Sequence, residues 1–198
     1  MRQMRSDRAP GHEETIEALR RAEQKYRSIF ENATEGIFQT TPEGKYLSAN
    51  PALARMYGYD SPGELLAALT DISRQLYVQP DRRHKFTLAM CNDGRIHDFE
   101  SQIYRRDGSV IWISENARAV HDEINGELLY YEGMVQDITL RKAAEQERKE
   151  TEENLVRYAE ELRVKNSQFQ ADLEMARDIQ QVFLTQNFPS FPRNLTSQ

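Results

Sequence analysis

A single cysteine, a single tryptophan and no long apolar run set the first limits on this chain of 198 residues. With Cys91 alone, no internal disulfide can form, and a reducing compartment fits. No segment approaches the roughly 18 consecutive apolar residues that span a bilayer. The polar, charged start lacks the pattern of a secretory signal, so a cytoplasmic location with no membrane partner is expected. An excess of basic charge is also missing. The formal net charge is −6, which argues against a general nucleic-acid binder. Arg2, Arg5 and Arg8 are too few to reverse that and read as a leader over residues 1–12. No His, Cys and carboxylate set has metal-ligand spacing. No nucleophile–base pair or phosphate loop appears, so the chain itself is not expected to be an enzyme.

The composition that is present divides in two. Most aromatics lie between residues 26 and 138, whereas residues 140–186 are dominated by Glu, Arg, Lys, Gln and Leu, the mix of a long helix. Residues 13–31 carry Ile16, Leu19, Ala22, Tyr26, Ile29 and Phe30 at helical spacing. Two short strands, 36–40 and 45–49, flank a Pro42-Glu43-Gly44 turn. Asn50 with Pro51 and Ser61 with Pro62 open short helices, and Gly58 closes the first. A third helix is expected from Pro80-Asp81 to Cys91. Strands over 96–105, 110–120 and 128–138 are separated by the hairpin signals Asp107-Gly108 and Asn125-Gly126. The order predicts an α+β fold with a five-stranded antiparallel sheet.

From Thr139 the apolar period changes from two to about three and a half. Leu155, Leu162, Phe169, Ala176 and Phe183 are seven apart, and Ala159, Asn166 and Leu173 fall four after the first three. This is the seam of a coiled coil, with a polar Asn at an inner position that favours a parallel two-stranded pairing. Glu145–Lys149, Glu153–Arg157 and Glu161–Lys165 are spaced for i, i+4 ion pairs. Between Thr139 and Leu155 the seam is weaker, as in a stutter. A helix over 139–186 would run about 70 Å before Pro189 and Pro192 end it.

Several of these residues resemble a PAS domain. Glu31-Asn32-Ala33, Gly36-Ile37-Phe38 and Asn50-Pro51-Ala52 leading to Tyr57-Gly58-Tyr59 match its front half. Tyr104 to Ser109 with Trp112, then Asn125-Gly126, Gly133 and Asp137-Ile138-Thr139, match its back half. Thr41 stands where that family usually has Asp. The resemblance implies that Asp137, Ile138 and Thr139 form the signal-output motif. Leu173 to Gln181, then Phe183-Leu184 and Phe188-Pro189, resemble the opening segment of SpoIIE/RsbU-type serine/threonine phosphatases of the metal-dependent PPM class. The aspartates that hold metal in that class do not follow within the chain. The expected organisation is a leader (1–12), an N-terminal dimerisation helix (13–31), the PAS domain (32–138), a coiled-coil signalling helix (139–187) and the start of an output domain (188–198).

Strand alternation anchored on that resemblance turns Phe38, Ile103, Ile111, Ile113 and Val135 toward the helices, where Leu53, Met56 and Tyr57 cover them. Together they are the candidate ligand pocket for a small molecule, or simply a filled core. The cofactor is unknown, and none is the leading expectation. Flavin photochemistry is disfavoured because its reactive Cys would lie in an early helix, and no Cys precedes Cys91. Haem has one weak candidate ligand, His84, flanked by Arg82, Arg83 and Lys85. His97 and His121 flank strand ends and are expected to be exposed. Glu115 faces the core side by parity but is expected at an exposed strand end. Trp112, Tyr104, Met134 and Gln136 share the other face, for which the 13–31 helix, the chain's own or a partner's, is the expected cover.

The functional expectation is a regulatory sensor and transmission module that dimerises in parallel and controls a downstream PPM phosphatase. The rival readings are the PAS sensor input of a cyclase or diguanylate cyclase, or a haem-binding gas or redox sensor. A histidine kinase is opposed by the lack of any His after His121.

Overall fold

The computed structural model describes residues 10–185, and side chains from 14 to 184. The elements are α1 (Pro10–Asn32), β1 (Gly36–Thr40), β2 (Tyr46–Ala49), α2 (Pro51–Tyr57), α3 (Pro62–Ala68), α4 (Ile72–Gln75), α5 (Arg82–Asp93), β3 (Arg95–Tyr104), β4 (Val110–His121), β5 (Leu128–Asp137) and α6 (Thr139–Thr185). The leader assigned to residues 1–12 lies outside the described residues up to residue 9, while residues 10–12 open α1. Phe188, Pro189, Pro192 and the whole of 188–198 also lie outside. The described residues fall into two units divided between Ala143 and Ala144.

In the first unit the five strands form one antiparallel sheet, ordered β2-β1-β5-β4-β3. Local chemistry explains where each element starts. Asn50 caps α2 by accepting the Leu53 N–H at 2.9 Å, Pro51 takes the first turn, and Gly58 closes the helix at φ 83°. Ser61 caps α3 in the same way, through the Glu64 N–H. Asn50 does more than cap. Its Oδ1 also accepts from Ile37 N–H, and its Nδ2 donates to the Phe30 and Glu35 carbonyls. One fully buried amide thereby ties α1, β1 and α2 together.

The core lies between the inner sheet face and α2 to α5. Leu53, Tyr57, Leu65, Phe86, Ile103 and Ile113 are fully buried, each aliphatic side chain adding about 1.5–3 kcal/mol. Phe86 stands edge-on to both Phe99 and Tyr131. Gly133 is needed where β5 pairs with Ala117 of β4, because a Cβ there would meet the Asn116 carbonyl oxygen and, at 2.7 Å, the Ala117 Cβ.

The second unit consists of the helix from Ala144 onward. It exposes Leu155, Leu162, Phe169, Leu173 and Phe183, and the smaller seam residues Ala159, Asn166 and Ala176 are exposed too. The expected pair Glu153–Arg157 is not formed. Glu153 faces Lys149 at 4.0 Å, and Arg157 donates to Asn154 instead. Such fully solvated contacts contribute little to stability.

Candidate functional site

Two places carry most of the unusual chemistry: the join between β5 and α6, and a polar group inside the core.

At the join, Asp137-Ile138-Thr139 is stitched to β4 at Trp112. The Ile138 N–H donates to the Trp112 carbonyl at 2.9 Å, and the Trp112 N–H donates to the Thr139 hydroxyl at 3.0 Å. The Thr139 hydroxyl is committed to β4, and the Asp137 carboxylate accepts the Thr139 N–H at 2.9 Å. Asp137 also meets Arg105 at 3.5 Å. Ile138 is buried beneath them.

The first turn of α6 adds charge to this anchor. Arg141 and Lys142 pair with the Glu100 carboxylate on β3 at 2.8 and 2.5 Å. Lys142 also lies over the Trp112 ring, 5.4 Å from its centre. These partners hold the Glu100 carboxyl below the usual range, chiefly through the Lys142 hydrogen bond. The α6 turn, rather than α1, therefore covers Trp112. The Tyr26 and Phe30 side chains of α1 lie farther along, where with Ile37 and Met134 they line an outer groove of about 500 Å³.

Inside the core, Phe38, Leu53, Tyr57, Ile103, Ile111, Ile113 and Val135 join one buried cluster, with Met56 packed against it. The strand residues Phe38, Ile103, Ile111, Ile113 and Val135 face inward as alternation predicts, and Leu53, Met56 and Tyr57 of α2 pack with them. Glu115 departs from the expectation. It is only 4% exposed, and its carboxylate accepts a hydrogen bond from the Tyr77 hydroxyl at 2.9 Å. Loss of water pushes its acid range up to about 7, against the opposing pull of Tyr77, Arg83 and Arg82.

Three phenols surround this carboxyl from different elements. Tyr46 comes from β2, Tyr57 from α2 and Tyr77 from the segment after α4. Burial pushes all three well above the normal tyrosine range, so each stays neutral. Tyr57 faces Tyr46, but its hydroxyl makes no hydrogen bond of good geometry; the Thr40 hydroxyl is likewise buried and unpaired. Arg83 is buried, lying 4.6 Å over the Phe86 ring and donating to the Thr41 carbonyl at 3.4 Å. Sequence reasoning missed Tyr46 and Tyr77. A register shift after Gln39 pairs Thr40 with Tyr46 and breaks the alternation along β2.

The structure places His84 on the exposed side of α5, opposite the buried Arg83, Phe86 and Met90. It does not reach the interior, so the haem candidate is not supported. His97 and His121 are exposed, as expected, and so is Cys91. Among the described residues no group of His, Cys, Asp and Glu could hold a metal ion, and no helix is long and apolar enough to cross a membrane.

The PAS domain family model matches residues 34–140, from the first strand to the start of α6. The chain belongs to the PAS domain family. The chain is 24% identical over 143 residues to the sensor histidine kinase TmoS of Ectopseudomonas mendocina, covering 70% of this chain and 14% of that protein. It is 30% identical over 145 residues to the bacterioopsin transcriptional activator of Halobacterium salinarum, covering 71% of this chain and 20% of that protein. The chain therefore spans a small part of these relatives. Among solved structures, the PAS domain of a Colwellia psychrerythraea protein aligns with a TM-score of 0.51 at 22% identity, covering 60% of this chain and 98% of that one. This PAS domain is a sensor module of the kind used in signal transduction.

Proposed function

We propose that this chain is the sensing and transmitting part of a cytoplasmic, homodimeric signalling protein whose output is a PPM-type serine/threonine phosphatase. The observation that carries the reading is the seven-residue recurrence of exposed apolar groups on α6, at Leu155, Leu162, Phe169 and Phe183. A charged helix with a bare apolar stripe is poorly stabilised alone and gains most by pairing with a second copy. The helix follows directly from the last sheet strand, and the Trp112–Thr139 hydrogen bond ties its first residue to β4. A change in the core, around Phe38, Leu53, Tyr57 and Ile113, would thereby shift the balance between two arrangements of the paired helices. The phosphatase output rests on the likeness of residues 173–184 to the opening segment of that class, and the chain acts in it as a regulator rather than a catalyst.

Light scattering on purified protein tests the pairing. The expected mass is that of two chains, and Leu162→Lys is expected to shift it toward one. An unchanged mass for the variant would overturn the seam.

A further inference from the structure

The Glu115 carboxyl is an unusual group to find in this core. It sits on the inward face of β4, opposite Phe99 of β3 and Val135 of β5. A carboxylate has about four acceptor positions, yet Glu115 receives one hydrogen bond, from Tyr77. No ion pair reaches it among the described residues. The cations that face it both come from α5 and are engaged elsewhere. Arg82 lies 3.7 Å over the Phe99 ring and donates to the Ser101 hydroxyl at 2.8 Å, while Arg83 is stacked on Phe86. The other titratable neighbours are Tyr46 from β2, Tyr57 from α2 and Tyr77 from the segment before α5. They supply dipoles but no countercharge. An ionised Glu115 would be a poorly compensated buried anion.

The same strand leads to the output end. Ser114, the next residue toward the join, is buried on the opposite sheet face with its hydroxyl unpaired, and stands between Glu100 and Gln136 in register. Two residues farther is Trp112, whose backbone holds Ile138 and Thr139. Glu100 holds Arg141 and Lys142. Any movement of β4 that rehydrates Glu115 acts on the strand that anchors α6.

We propose that Glu115, a buried carboxyl with one hydrogen-bond donor and no ion-pair partner among the described residues, is a proton-binding site that exchanges one proton with solvent, and that this exchange shifts β4 and the Trp112–Thr139 anchor. On protonation a solvent proton forms an O–H bond on the carboxyl, and ionisation returns it to solvent. The neutral acid then becomes a donor, and the unpaired Tyr57 hydroxyl is an acceptor in the same interior. This deepens the sensor reading by naming the proton as the signal, and depends on that reading only for the output arm.

The test follows the side-chain carboxyl carbons of ¹³C-glutamate-labelled full chain by NMR across pH, with Glu115 assigned by its absence in Glu115→Gln. Its midpoint is expected near 7, well above the usual glutamate value of about 4.3. The lone tryptophan supplies a second readout. Trp112 emission is expected to follow the same midpoint in the parent protein and to lose that transition in Glu115→Gln, which retains every histidine. Tyr77→Phe removes the one hydrogen bond favouring the carboxylate and is expected to move the midpoint upward; it serves also if Glu115→Gln does not fold. Titration of Glu115 together with the surface glutamates, a silent Trp112, or a Trp112 transition that persists in Glu115→Gln would each overturn the proposal. Light scattering in the same samples reads the pairing of α6 separately, so a monomeric mass would count against the dimer and not against proton binding.

Discussion

The Thr139 hydroxyl accepts a hydrogen bond from the Trp112 backbone N–H at 3.0 Å, although 27 residues separate the two. The first residue of the long helix is thus held by a strand that is not its sequence neighbour.

Replacing Thr139 by Val keeps the shape and removes this acceptor. The Trp112 amide is then expected to exchange with deuterium roughly fivefold faster, matching the loss of about 1 kcal/mol for one hydrogen bond. Thr139→Ser, which retains the hydroxyl, is expected to stay near the parent rate.

Gly133 gives a prediction about packing. The room for a Cβ is taken by the backbone of Asn116 and by Ala117 in the neighbouring strand, so the obstruction is not a flexible side chain. Gly133→Ala is expected to destabilise the domain by about 1–3 kcal/mol, as overpacking does, read as a lower urea midpoint with an unchanged slope. An alanine variant as stable as the parent would show that β4 and β5 can separate at no cost.

The raised acid range of Glu115 makes stability depend on pH in a defined direction. In the unfolded chain the group titrates near 4.5, in the folded one near 7. Between those values the folded state holds the extra proton, so its contribution is full below pH 4.5 and is lost as pH rises to 7. The loss amounts to about 3 kcal/mol by linkage. Urea unfolding of the parent and of Glu115→Gln across this window checks it, with the variant expected to lack that component of the slope.

Much of the PAS fold could be read before any coordinates. Asn50-Pro51, Ser61-Pro62, Asp107-Gly108 and Asn125-Gly126 are local signals, satisfied by backbone groups within a few residues, and each appears where expected. The inward set Phe38, Ile103, Ile111, Ile113 and Val135 follows from strand alternation in the same local way. What escaped depends on distant cover. Parity points Glu115 inward but cannot say that Tyr77 seals it there. Alternation fails for Tyr46 because of the irregularity between β1 and β2. The four-residue α4 is too short to show a period. A threonine at the start of a helix can cap it, and nothing in the sequence marks Trp112 as the partner of the Thr139 hydroxyl.

The pairing of Gly36 with Val135 has a consequence for how such a module is built into longer proteins. The first strand begins beside the place where the last one is about to finish. A helix arriving from upstream and one departing downstream consequently meet the sheet at adjoining points. The domain can be spliced into a helical array without forcing the incoming and outgoing segments apart.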